Sequence, residues 1–263
     1  MPLRPQPSSI LITGASSGLG RALAVLYARP GARLYLSGRD SARLAETHAA
    51  CANRGANVEA ETVDVADRAT MSAWIAGADA TGALDLVIAN AGISGGPGTR
   101  RGGEDEAQTR AIFDVNFTGV VNTVWPAIRA MRPRRRGQIA IISSLAGYRG
   151  LPSAPAYAAS KAAVKAWGEG LRGWLKPDGI LVNVVCPGFV TTRMTAANRF
   201  PMPFLMDADK AAGIIAEGLE RDRPRISFPW PLAFVTWLYA SLPPAWTDPL
   251  LARMPKKDQM LSS

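Results

Sequence analysis

The sequence is poor in residues that bind metals or cross-link chains: its 263 residues include one histidine and two cysteines. A single histidine, His48, cannot build a metal site of several imidazoles. It lies in an alanine-rich stretch of helical pattern, where it is no candidate for a Ser-His-Asp triad. Two cysteines, Cys51 and Cys186, are too few for a disulfide framework and are typical of a reducing compartment. We therefore expect a cytoplasmic protein without a metal centre.

Long apolar runs are also absent. No stretch approaches the roughly 18 apolar residues of a membrane-spanning helix. The apolar run 10–12 that follows the proline-rich start is too short for a signal peptide. Hydrophobic residues nevertheless make up 48% of the chain. This proportion excludes a disordered or fibrous protein and is sufficient for a buried core.

Basic residues outnumber acidic residues by 30 to 21, which gives a formal net charge of +9. Such an excess can favour binding to nucleic acid or to an anionic membrane. The densest basic run, residues 132–136, contains four arginines and no aromatic side chain that could stack on a base. We therefore interpret it as a solvated basic turn and predict no nucleic-acid partner.

Short apolar runs alternate with longer stretches of helical period as far as about residue 230. Strands are predicted at Ile10–Thr13, Arg33–Ser37, Val58–Val63, Leu84–Ala89, Gln138–Ser143, Leu181–Cys186 and Ile226–Phe228. Helices are predicted at Gly18–Arg29, Ser41–Arg54, Arg68–Gly77, Glu106–Met131, Tyr157–Lys176 and Ala208–Arg221. Nearly continuous apolar strands separated by helices indicate a parallel sheet covered on both faces, and right-handed crossovers make it doubly wound. We predict a single-domain α/β fold: a Rossmann-type doubly wound parallel sheet of about seven strands in residues 1–229, with an apolar C-terminal helical extension at 230–263.

Two irregular segments follow strands of this sheet. They are a glycine-rich loop at 93–103 and a segment rich in proline and methionine at 189–207. Both would lie outside the carboxyl ends of strands, where open α/β sheets bind their ligands. We expect the ligand-binding site there.

The first predicted strand runs directly into the glycine-rich sequence Thr13–Gly20, and a helix follows. Glycines at Gly14, Gly18 and Gly20 would allow the backbone to turn tightly and bring amide groups to a helix N-terminus, where a pyrophosphate can bind. Glycine-rich turns after strands are common, and this spacing differs from the usual G-x-G-x-x-G. The turn alone therefore does not establish a dinucleotide site.

The end of the second strand is where dinucleotide-binding folds distinguish between the two nicotinamide cofactors. An acidic residue there would bind the ribose hydroxyls, whereas this chain has Gly38 followed by Arg39, whose guanidinium suits a 2′-phosphate. Asp40 is interpreted as the N-cap of the next helix. The alternative for Arg39 is an ordinary exposed arginine; we favour phosphate recognition, and hence NADP(H) over NAD(H).

Tyr157 and Lys161 are spaced i and i+4 on a predicted helix, so their side chains share one face. A free tyrosine, with a pKa of about 10, is a poor acid–base catalyst near neutrality. A nearby ammonium would lower that pKa toward the useful range. The hydroxyl of Ser144 could hold a substrate oxygen at the same time. The pair by itself is a weak signal, because many helices contain one.

Further motifs occur in order along the chain. They are Thr13-Gly14-x-x-x-Gly18-x-Gly20, Asp64-Val65, Asn90-Ala91-Gly92, Asn116, Ser143-Ser144, Tyr157-x-x-x-Lys161 and Pro187-Gly188 followed by Thr192. With these motifs the chain resembles the classical short-chain dehydrogenase/reductase family over about residues 8 to 228. Many NADP-preferring members have a basic residue where this chain has Ser17, so Arg39 would carry most of the cofactor discrimination.

The resemblance implies a role for each matching residue. Tyr157 would be the general acid/base, and Ser144 would bind the carbonyl oxygen. Lys161 would bind the nicotinamide ribose and depress the pKa of the tyrosine, and the backbone of Asn116 would support a proton relay. The cofactor would contact Gly14, Ser16, Ser17, Gly18, Leu19, Arg39, Asp64, Val65, Asn90, Ala91, Gly92, Tyr157, Lys161, Pro187, Gly188, Val190 and Thr192. The substrate would contact Ser144, Leu145, Tyr157, Phe189 and Met194. The resemblance also suggests a homo-dimer or homo-tetramer built on the long helices predicted at Glu106–Met131 and Tyr157–Lys176.

These residues predict an NADP(H)-dependent oxidoreductase that interconverts a carbonyl and an alcohol. The side chains available to line its cleft are largely apolar, which favours a lipid-like, steroid-like or aromatic substrate over a sugar. They are Leu145, Tyr148, Leu151, Phe189, Met194, Phe200, Met202, Phe204, Leu205 and Met206. The alternative is a cofactor-binding scaffold or a membrane-surface adaptor that acts through its C-terminal tail.

The C-terminal extension contains an apolar helix that the Pro243-Pro244 pair would end. Trp230, Phe234 and Trp237 share one face at helical spacing, and a helix apolar over most of its circumference must be covered. Its roughly 11 to 13 residues are too few to cross a bilayer. Three partners stay open: another subunit, a membrane surface contacted through residues 230–252, or the substrate cleft of its own domain.

Overall fold

The computed structural model describes residues 6–97, 103–196, 198 and 200–252, apart from the side chain of Leu250. The strands are β1 (Ser9–Thr13), β2 (Arg33–Gly38), β3 (Asn57–Thr62), β4 (Leu86–Ala89), β5 (Gly137–Ile142), β6 (Ile180–Pro187) and β7 (Arg225–Phe228). The α-helices are α1 (Gly18–Tyr27), α2 (Ser41–Ala52), α3 (Arg68–Thr81), α4 (Glu106–Phe113), α5 (Gly119–Met131), α6 (Pro155–Leu175), α7 (Arg193–Ala196), α8 (Ala208–Glu220), α9 (Trp230–Ser241) and α10 (Pro244–Leu251). Short 3-10 turns follow β5 at Leu145–Tyr148 and α6 at Lys176–Asp178. The predicted loop 93–103 and the predicted extension 230–263 therefore lie partly outside the described residues.

The seven strands form one parallel sheet in the order β3-β2-β1-β4-β5-β6-β7. The predicted doubly wound parallel sheet is thereby confirmed. The chain builds outward from β1 through β2 and β3, then crosses to the other side of β1 to build β4 to β7. A crevice opens at the carboxyl ends of β1 and β4, where the direction of building reverses.

Helices cover both faces of the sheet. Ile10 and Ile12 of β1 pack on one side with Leu23 of α1 and Ile215 of α8, and Leu11 packs on the other side, against a cluster that includes α3, α5 and α6. Because both faces are buried, the central strands are apolar throughout instead of alternating with polar residues. This is why continuous apolar runs, without period-two alternation, located the central strands.

The long helix predicted at Glu106–Met131 contains a π-helical turn at Asp114–Thr118, which joins α4 to α5. In this turn the amide of Gly119 bonds to the carbonyl of Asp114, five residues earlier, so the helix is locally wider. The turn lies beside the crevice and contains Asn116. Hydrophobic periodicity does not detect such a turn, because it changes the spacing by only one residue.

The C-terminal helix predicted from the apolar pattern is α9, and a second short helix, α10, follows it. The side of α9 that faces the protein carries Leu232 and Ala233, which pack near the 3-10 turn after β5. The opposite side is exposed: 77% of Trp230, 55% of Phe234 and 50% of Trp237 are accessible to solvent. Among the described residues, no helix combines the length and the apolarity needed to cross a bilayer.

Candidate active site

A cleft of about 2030 Å³ lies at the carboxyl ends of the strands. Its wall is formed by the β1–α1 turn, the ends of β2, β4, β5 and β6, the start of α6 and the segment after β6. The predicted cofactor and substrate residues all contribute to this wall; they are Gly14, Ser16, Ser17, Gly18, Leu19, Arg39, Asp64, Val65, Asn90, Ala91, Gly92, Ser144, Leu145, Tyr157, Lys161, Pro187, Gly188, Phe189, Val190, Thr192 and Met194. The tertiary structure thus brings residues from 14 to 194 into one continuous surface.

The β1–α1 turn is a cradle of backbone that leaves no room for a side chain at Gly14 or Gly18. Gly14 and Gly18 have φ angles of +68° and +53°, which favour glycine. A Cβ atom on Gly14 would lie 2.8 Å from the Cα of Ala91, and one on Gly18 would lie 2.8 Å from the Cγ2 of Thr192. The turn leads directly into the N-terminus of α1, where backbone amides favour an anionic group.

Asn90 ties the ends of β1 and β4 together beneath this cradle. Its side-chain amide donates to the carbonyl oxygens of Thr13 and Gly14 at 2.9 and 3.2 Å. In return, the Oγ1 of Thr13 accepts from the amides of Asn90 and Ala91 at 3.0 and 3.1 Å. These bonds hold the two strand ends at a fixed separation on either side of the crevice.

The Asp64-Val65 turn after β3 is held by a residue that the sequence did not assign. The buried Asn122 of α5 donates from its side-chain amide to the carbonyl oxygens of Val65 and Ala66, at 2.9 and 3.2 Å. The carboxylate of Asp64 accepts from the amide of Ala66 at 2.9 Å. An asparagine on the apolar face of a predicted helix was the available signal, since a buried amide needs hydrogen-bond partners.

Two arginines line the cleft beyond β2. Arg39 is exposed on the wall, and Asp40 caps α2 by accepting from the amide of Arg43 at 2.9 Å, as predicted. The guanidinium of Arg43 pairs with the carboxylate of Asp40 at 2.7 Å. Its Nε atom is buried and, among the described residues, has no hydrogen-bond acceptor. Arg43 was missed in the sequence because it lies inside a helix pattern.

Ser144 lies where β5 enters the 3-10 turn. Its Oγ accepts from the amide of Ala146 at 3.1 Å and donates to the carbonyl of Pro187 at 3.4 Å. A Cβ on Gly147 would lie 2.7 Å from the carbonyl carbon of Lys161, so the turn packs directly on α6. The serine is thus fixed between the ends of β5 and β6.

Tyr157 lies in the first turn of α6 and Lys161 in the second, on the same face. The ammonium of Lys161 is buried, donates to the carbonyl of Ile142 at 2.9 Å and lies 5.9 Å from the centroid of the Tyr157 ring. The carbonyl of Lys161 accepts from the Oγ of Ser143 at 2.7 Å. The helix is therefore bound to the end of β5 at the position of the lysine.

Burial raises the pKa of Tyr157, and a hydrogen bond with Ser144 opposes that rise. Burial therefore outweighs the hydrogen bond, and the net direction is opposite to the one expected from spacing; the contribution of Lys161 to the pKa of Tyr157 stays a prediction. Burial also lowers the pKa of Lys161 to about 8. Tyr157 is therefore protonated at neutral pH, as a proton donor must be.

Asn116 lies behind the cleft wall. Its side-chain amide donates to the carbonyl of Ile93 at 2.9 Å and to the Oγ of Ser160 at 3.0 Å, and its Oδ1 accepts from the amide of Ile93 at 2.8 Å. The side chain is thus engaged in holding the loop after β4 against α6. The family resemblance predicts that the backbone of Asn116, which lies in the π-helical turn, supports a proton relay. That role stays a prediction.

Part of the cleft wall, called the apolar end below, carries apolar side chains. The predicted substrate residues Leu145, Phe189 and Met194 lie there together with Leu151 and Phe200. The rings of Phe189 and Phe200 meet edge to face, with centroids 6.1 Å apart. Helix α9 adds two wall residues that the sequence did not assign, Leu232 and Thr236.

Five of the apolar residues proposed from the sequence do not contribute to the wall: Tyr148, Met202, Phe204, Leu205 and Met206. Phe204 and Leu205 are exposed on the outside of the segment. The hydroxyl of Tyr148 is 2.8 Å from the Oγ of Ser227, away from the cleft. Composition alone predicted these residues as wall residues, whereas the direction of each side chain depends on the local path of the loop.

Residues 8–201 match the sequence model of the family described as short chain dehydrogenase. This chain belongs to the short-chain dehydrogenase family. Over 93% of its length the dehydrogenase is 40% identical to an uncharacterized oxidoreductase of Myxococcus xanthus, 96% of which is covered. It is 37% identical to a Streptomyces virginiae protein named as a ketoacyl reductase of the monensin polyketide synthase, over 70% of this chain and 71% of that protein. A short chain dehydrogenase from Mycobacterium paratuberculosis bound to NAD has a similar structure, with a TM-score of 0.73, 26% identity, and coverage of 83% of this chain and 94% of that chain.

The dehydrogenase is accordingly an NAD(P)-dependent oxidoreductase acting on CH–OH groups. Its cleft fits a dinucleotide on two observations. At Gly14 and Gly18 the close approach of Ala91 and Thr192 leaves no room for a Cβ, so the cradle presents backbone to the cleft beside the N-terminus of α1. The buried Nε of Arg43 offers an unused donor on the wall beyond β2.

Replacing Lys161 by methionine should stabilise the dehydrogenase at pH 7. The pKa of Lys161 falls from 10.5 to about 8 on folding. Burying the charged form therefore costs about 3 kcal/mol at pH values below 8. Loss of the bond to Ile142 offsets about 1 kcal/mol of this gain. We expect Lys161→Met to raise the free energy of unfolding by about 2 kcal/mol in urea titrations at pH 7.

The stabilisation should fade between pH 8 and 10.5. In that window the unfolded wild-type chain binds a proton that the folded chain has released, so the wild type gains stability as the pH rises. Lys210→Met, at an exposed position of α8, is the control and should change little at either pH. An equal difference at pH 7 and pH 10, or a destabilised Lys161→Met protein at pH 7, would contradict the assignment.

Proposed function

We propose that this protein is an NADP(H)-dependent oxidoreductase that interconverts a carbonyl group and an alcohol on an apolar substrate. The observation that carries the proposal is the meeting of Ser144, Tyr157 and Lys161 on the wall of the same cleft that the glycine cradle and the apolar side chains line. A cofactor-binding scaffold would gain nothing from a desolvated lysine beside a buried phenol, so the enzyme is favoured over the scaffold.

Each of these groups has a distinct task in reduction. The bound nicotinamide supplies the hydride. Tyr157 donates its phenolic proton to the carbonyl oxygen, and its raised pKa keeps that proton in place until the oxygen becomes basic. Ser144 donates a hydrogen bond to the same oxygen and orients it. Lys161 binds the nicotinamide ribose, and the backbone of Asn116 supports the proton relay.

The two arginines beyond β2 support a preference for NADP(H). Arg39 provides an exposed guanidinium on the wall, and Arg43 provides a second one with an unmet donor. The carboxylate of Asp40 accepts from the amide of Arg43 and pairs with its guanidinium, so its negative charge is already compensated. A 2′-phosphate would therefore meet net positive charge here, which compensates for the uncharged Ser17.

The substrate end supports an apolar ketone or the corresponding alcohol, of a lipid-like, steroid-like or aromatic kind. Leu145, Leu151, Phe189, Phe200 and Leu232 form most of an apolar surface that would be poorly matched to many hydroxyls. The relative named as a ketoacyl reductase acts, by its name, on a ketone of an acyl chain, which falls within this class.

We further propose that residues 1–229 form one cytoplasmic catalytic domain, with 230–263 as an extension, and that the chain forms a homo-dimer or homo-tetramer. Exposed aromatic rings on α5 and α6 support such an assembly. Trp125 and Trp174 are exposed, and their rings meet edge to face with centroids 5.8 Å apart. An apolar pair of this kind, on the helices that the sequence predicted for subunit contact, is typical of an interface.

For the outer face of α9 we propose contact with a membrane surface. Trp230, Phe234 and Trp237 are exposed on a helix without a charged residue. The opposite side of this helix lines the apolar end of the cleft through Leu232 and Thr236. Tryptophan is favoured at the interface between lipid and water, where an apolar substrate would be concentrated.

Tyr157→Phe should lower kcat by about 10²- to 10⁴-fold, the contribution of a positioned general acid. The assay is NADPH oxidation with a panel of apolar ketones and ketoacyl thioesters. Tyr148→Phe is the matched control, because it also removes one phenolic hydroxyl, and that hydroxyl lies off the cleft wall. Wild-type turnover in Tyr157→Phe, or equal losses in both variants, would argue against the role of Tyr157. NADPH binding, followed by tryptophan fluorescence, should persist in both.

Arg39→Met and Arg43→Met should each raise KM for NADPH by about tenfold, the effect of one lost charge-assisted hydrogen bond. The kinetic constants with NADH should change much less, because NADH lacks the 2′-phosphate. Arg129→Met, which removes an exposed arginine that bonds to Ser72 on α3, serves as the control. Parallel losses with NADPH and NADH would show that these arginines do not read the 2′-phosphate.

The double variant Phe234→Ser/Trp237→Ser should reduce sedimentation of the protein with anionic liposomes and leave the ketone reductase activity in detergent unchanged. The control, Leu26→Ser, alters an exposed leucine on α1, outside α9 and outside the proposed subunit contact. If the double variant instead changes the molar mass measured by light scattering, the outer face of α9 is a subunit contact and the membrane assignment is wrong.

A further inference from the structure

Helix α6 begins without a capping side chain of its own. Its N-cap residue is Ala154, whose side chain has no hydrogen-bonding group, and Pro155 at the first position has no amide hydrogen. The first free amide of the helix is therefore that of Ala156, directly before Tyr157. An amide in this position needs an acceptor from elsewhere, or the first turn frays.

The acceptor comes from a distant part of the chain. The Oε2 of Glu104 accepts a hydrogen bond from the amide of Ala156 at 2.9 Å, across a separation of 52 residues. Glu104 is partly buried at the end of the loop that follows β4, just before α4. A carboxylate at a helix N-terminus is stabilised by the partial positive charge of the exposed amides, so its charge as well as its oxygen suits this position.

Glu104 is itself held by Gln108. The buried side-chain amide of Gln108 lies 3.4 Å from the Oε1 of Glu104 and donates to the carbonyl of Gly96 at 3.1 Å. A Cβ on Gly95 would lie 2.6 Å from the side chain of Gln108, so the loop backbone packs directly against this amide. One hydrogen-bonded chain thus joins the loop after β4, the start of α4 and the start of α6.

The other members of the catalytic group have separate supports. Ser144 is fixed at the ends of β5 and β6, and Lys161 is bound to the carbonyl of Ile142. Tyr157 belongs to the first turn of α6, which is the part of a helix that opens most easily. A small displacement of this turn would change the distance between the phenol and a bound carbonyl, and such displacements cost rate steeply.

We propose that Glu104 is a positioning residue for Tyr157, which caps the catalytic helix from outside and fixes the phenol relative to Ser144. The proposal rests on the proposed function, because it assumes that the phenol must be held at a reacting carbonyl. It adds a residue that the family motifs in this sequence do not include. It also couples the loop after β4, which lines the cleft through Ile93 and Ser94, to the catalytic tyrosine.

The test compares Glu104→Ala and Glu104→Gln with Asp105→Ala. The neighbouring Asp105 caps α4 by accepting from the amide of Ala107 at 3.1 Å, so its loss removes a helix cap of the same kind that does not reach α6. We expect Glu104→Ala to lower kcat by about tenfold, a typical cost of a misplaced reacting group, with KM for NADPH unchanged. Glu104→Gln keeps an acceptor oxygen and should recover most of the rate. Asp105→Ala should lose thermal stability but keep its kcat.

Equal kcat values for Glu104→Ala and Asp105→Ala would overturn the proposal, as would a rate that follows thermal stability across the three variants. If Glu104→Ala does not fold, Glu104→Asp, whose shorter side chain leaves its carboxylate short of Ala156, replaces it with the same expected loss. Amide hydrogen exchange of the ligand-free proteins gives a second readout that does not depend on turnover. Faster exchange at residues 156–158 in Glu104→Ala alone supports the cap, and unchanged exchange overturns it. If Tyr157→Phe turns over as fast as the wild type, the proposed function fails, and the exchange result still decides whether Glu104 holds the start of α6.

Discussion

The buried ammonium of Lys161 is the contact on which most of the site depends. The ammonium donates to the carbonyl of Ile142 at the end of β5. The backbone carbonyl of Lys161 accepts from the Oγ of Ser143, the residue after Ile142. These two bonds fix the second turn of α6 against the sheet and thereby determine where Tyr157 can lie relative to Ser144. Desolvation lowers the pKa of the lysine to about 8, so holding a positive charge here costs stability. Such a cost is typical of a site in which a charge is kept for function at the expense of the fold.

The remaining support of the cleft comes from side-chain amides and carboxylates that bond to backbone. Asn90 joins β1 to β4, Asn122 holds the turn after β3, and Glu104 reaches the start of α6. In each case a side chain from one element bonds directly to the backbone of another segment, so the path of that segment is fixed whatever its own side chains do. The glycine cradle is the complementary device, because there the absence of a side chain lets two backbone segments approach.

Two parts of the cleft wall differ in whether they lie inside the region that matches the family. The cradle, Ser144, Tyr157 and Lys161 all lie within residues 8–201, the part that matches the family. Helix α9 lies beyond it and adds Leu232 and Thr236 to the apolar end. The glycine cradle and the group Ser144, Tyr157 and Lys161 are therefore encoded in the part that matches the family, whereas the apolar part of the cleft wall also depends on α9. The opposite, outer face of the same helix is exposed at Trp230, Phe234 and Trp237.

Local sequence determined the elements of this protein: apolar runs located the strands, Asp40 marked the start of α2, and the ordered motifs identified the residues that would line the cleft. The strands and the helix cap depend on neighbours along the chain, so apolar patterning and spacing are sufficient to find them, whereas the cleft residues were predicted from the resemblance to the family. The tertiary structure alone decided which long-range partners meet. Arg43 became a wall residue with an unmet donor, Glu104 became the cap of a distant helix, and burial raised the pKa of Tyr157 where spacing had indicated a lower value. The physical reason is that desolvation and hydrogen-bond partners depend on atoms brought together from separate parts of the chain, and spacing along the sequence does not contain that information.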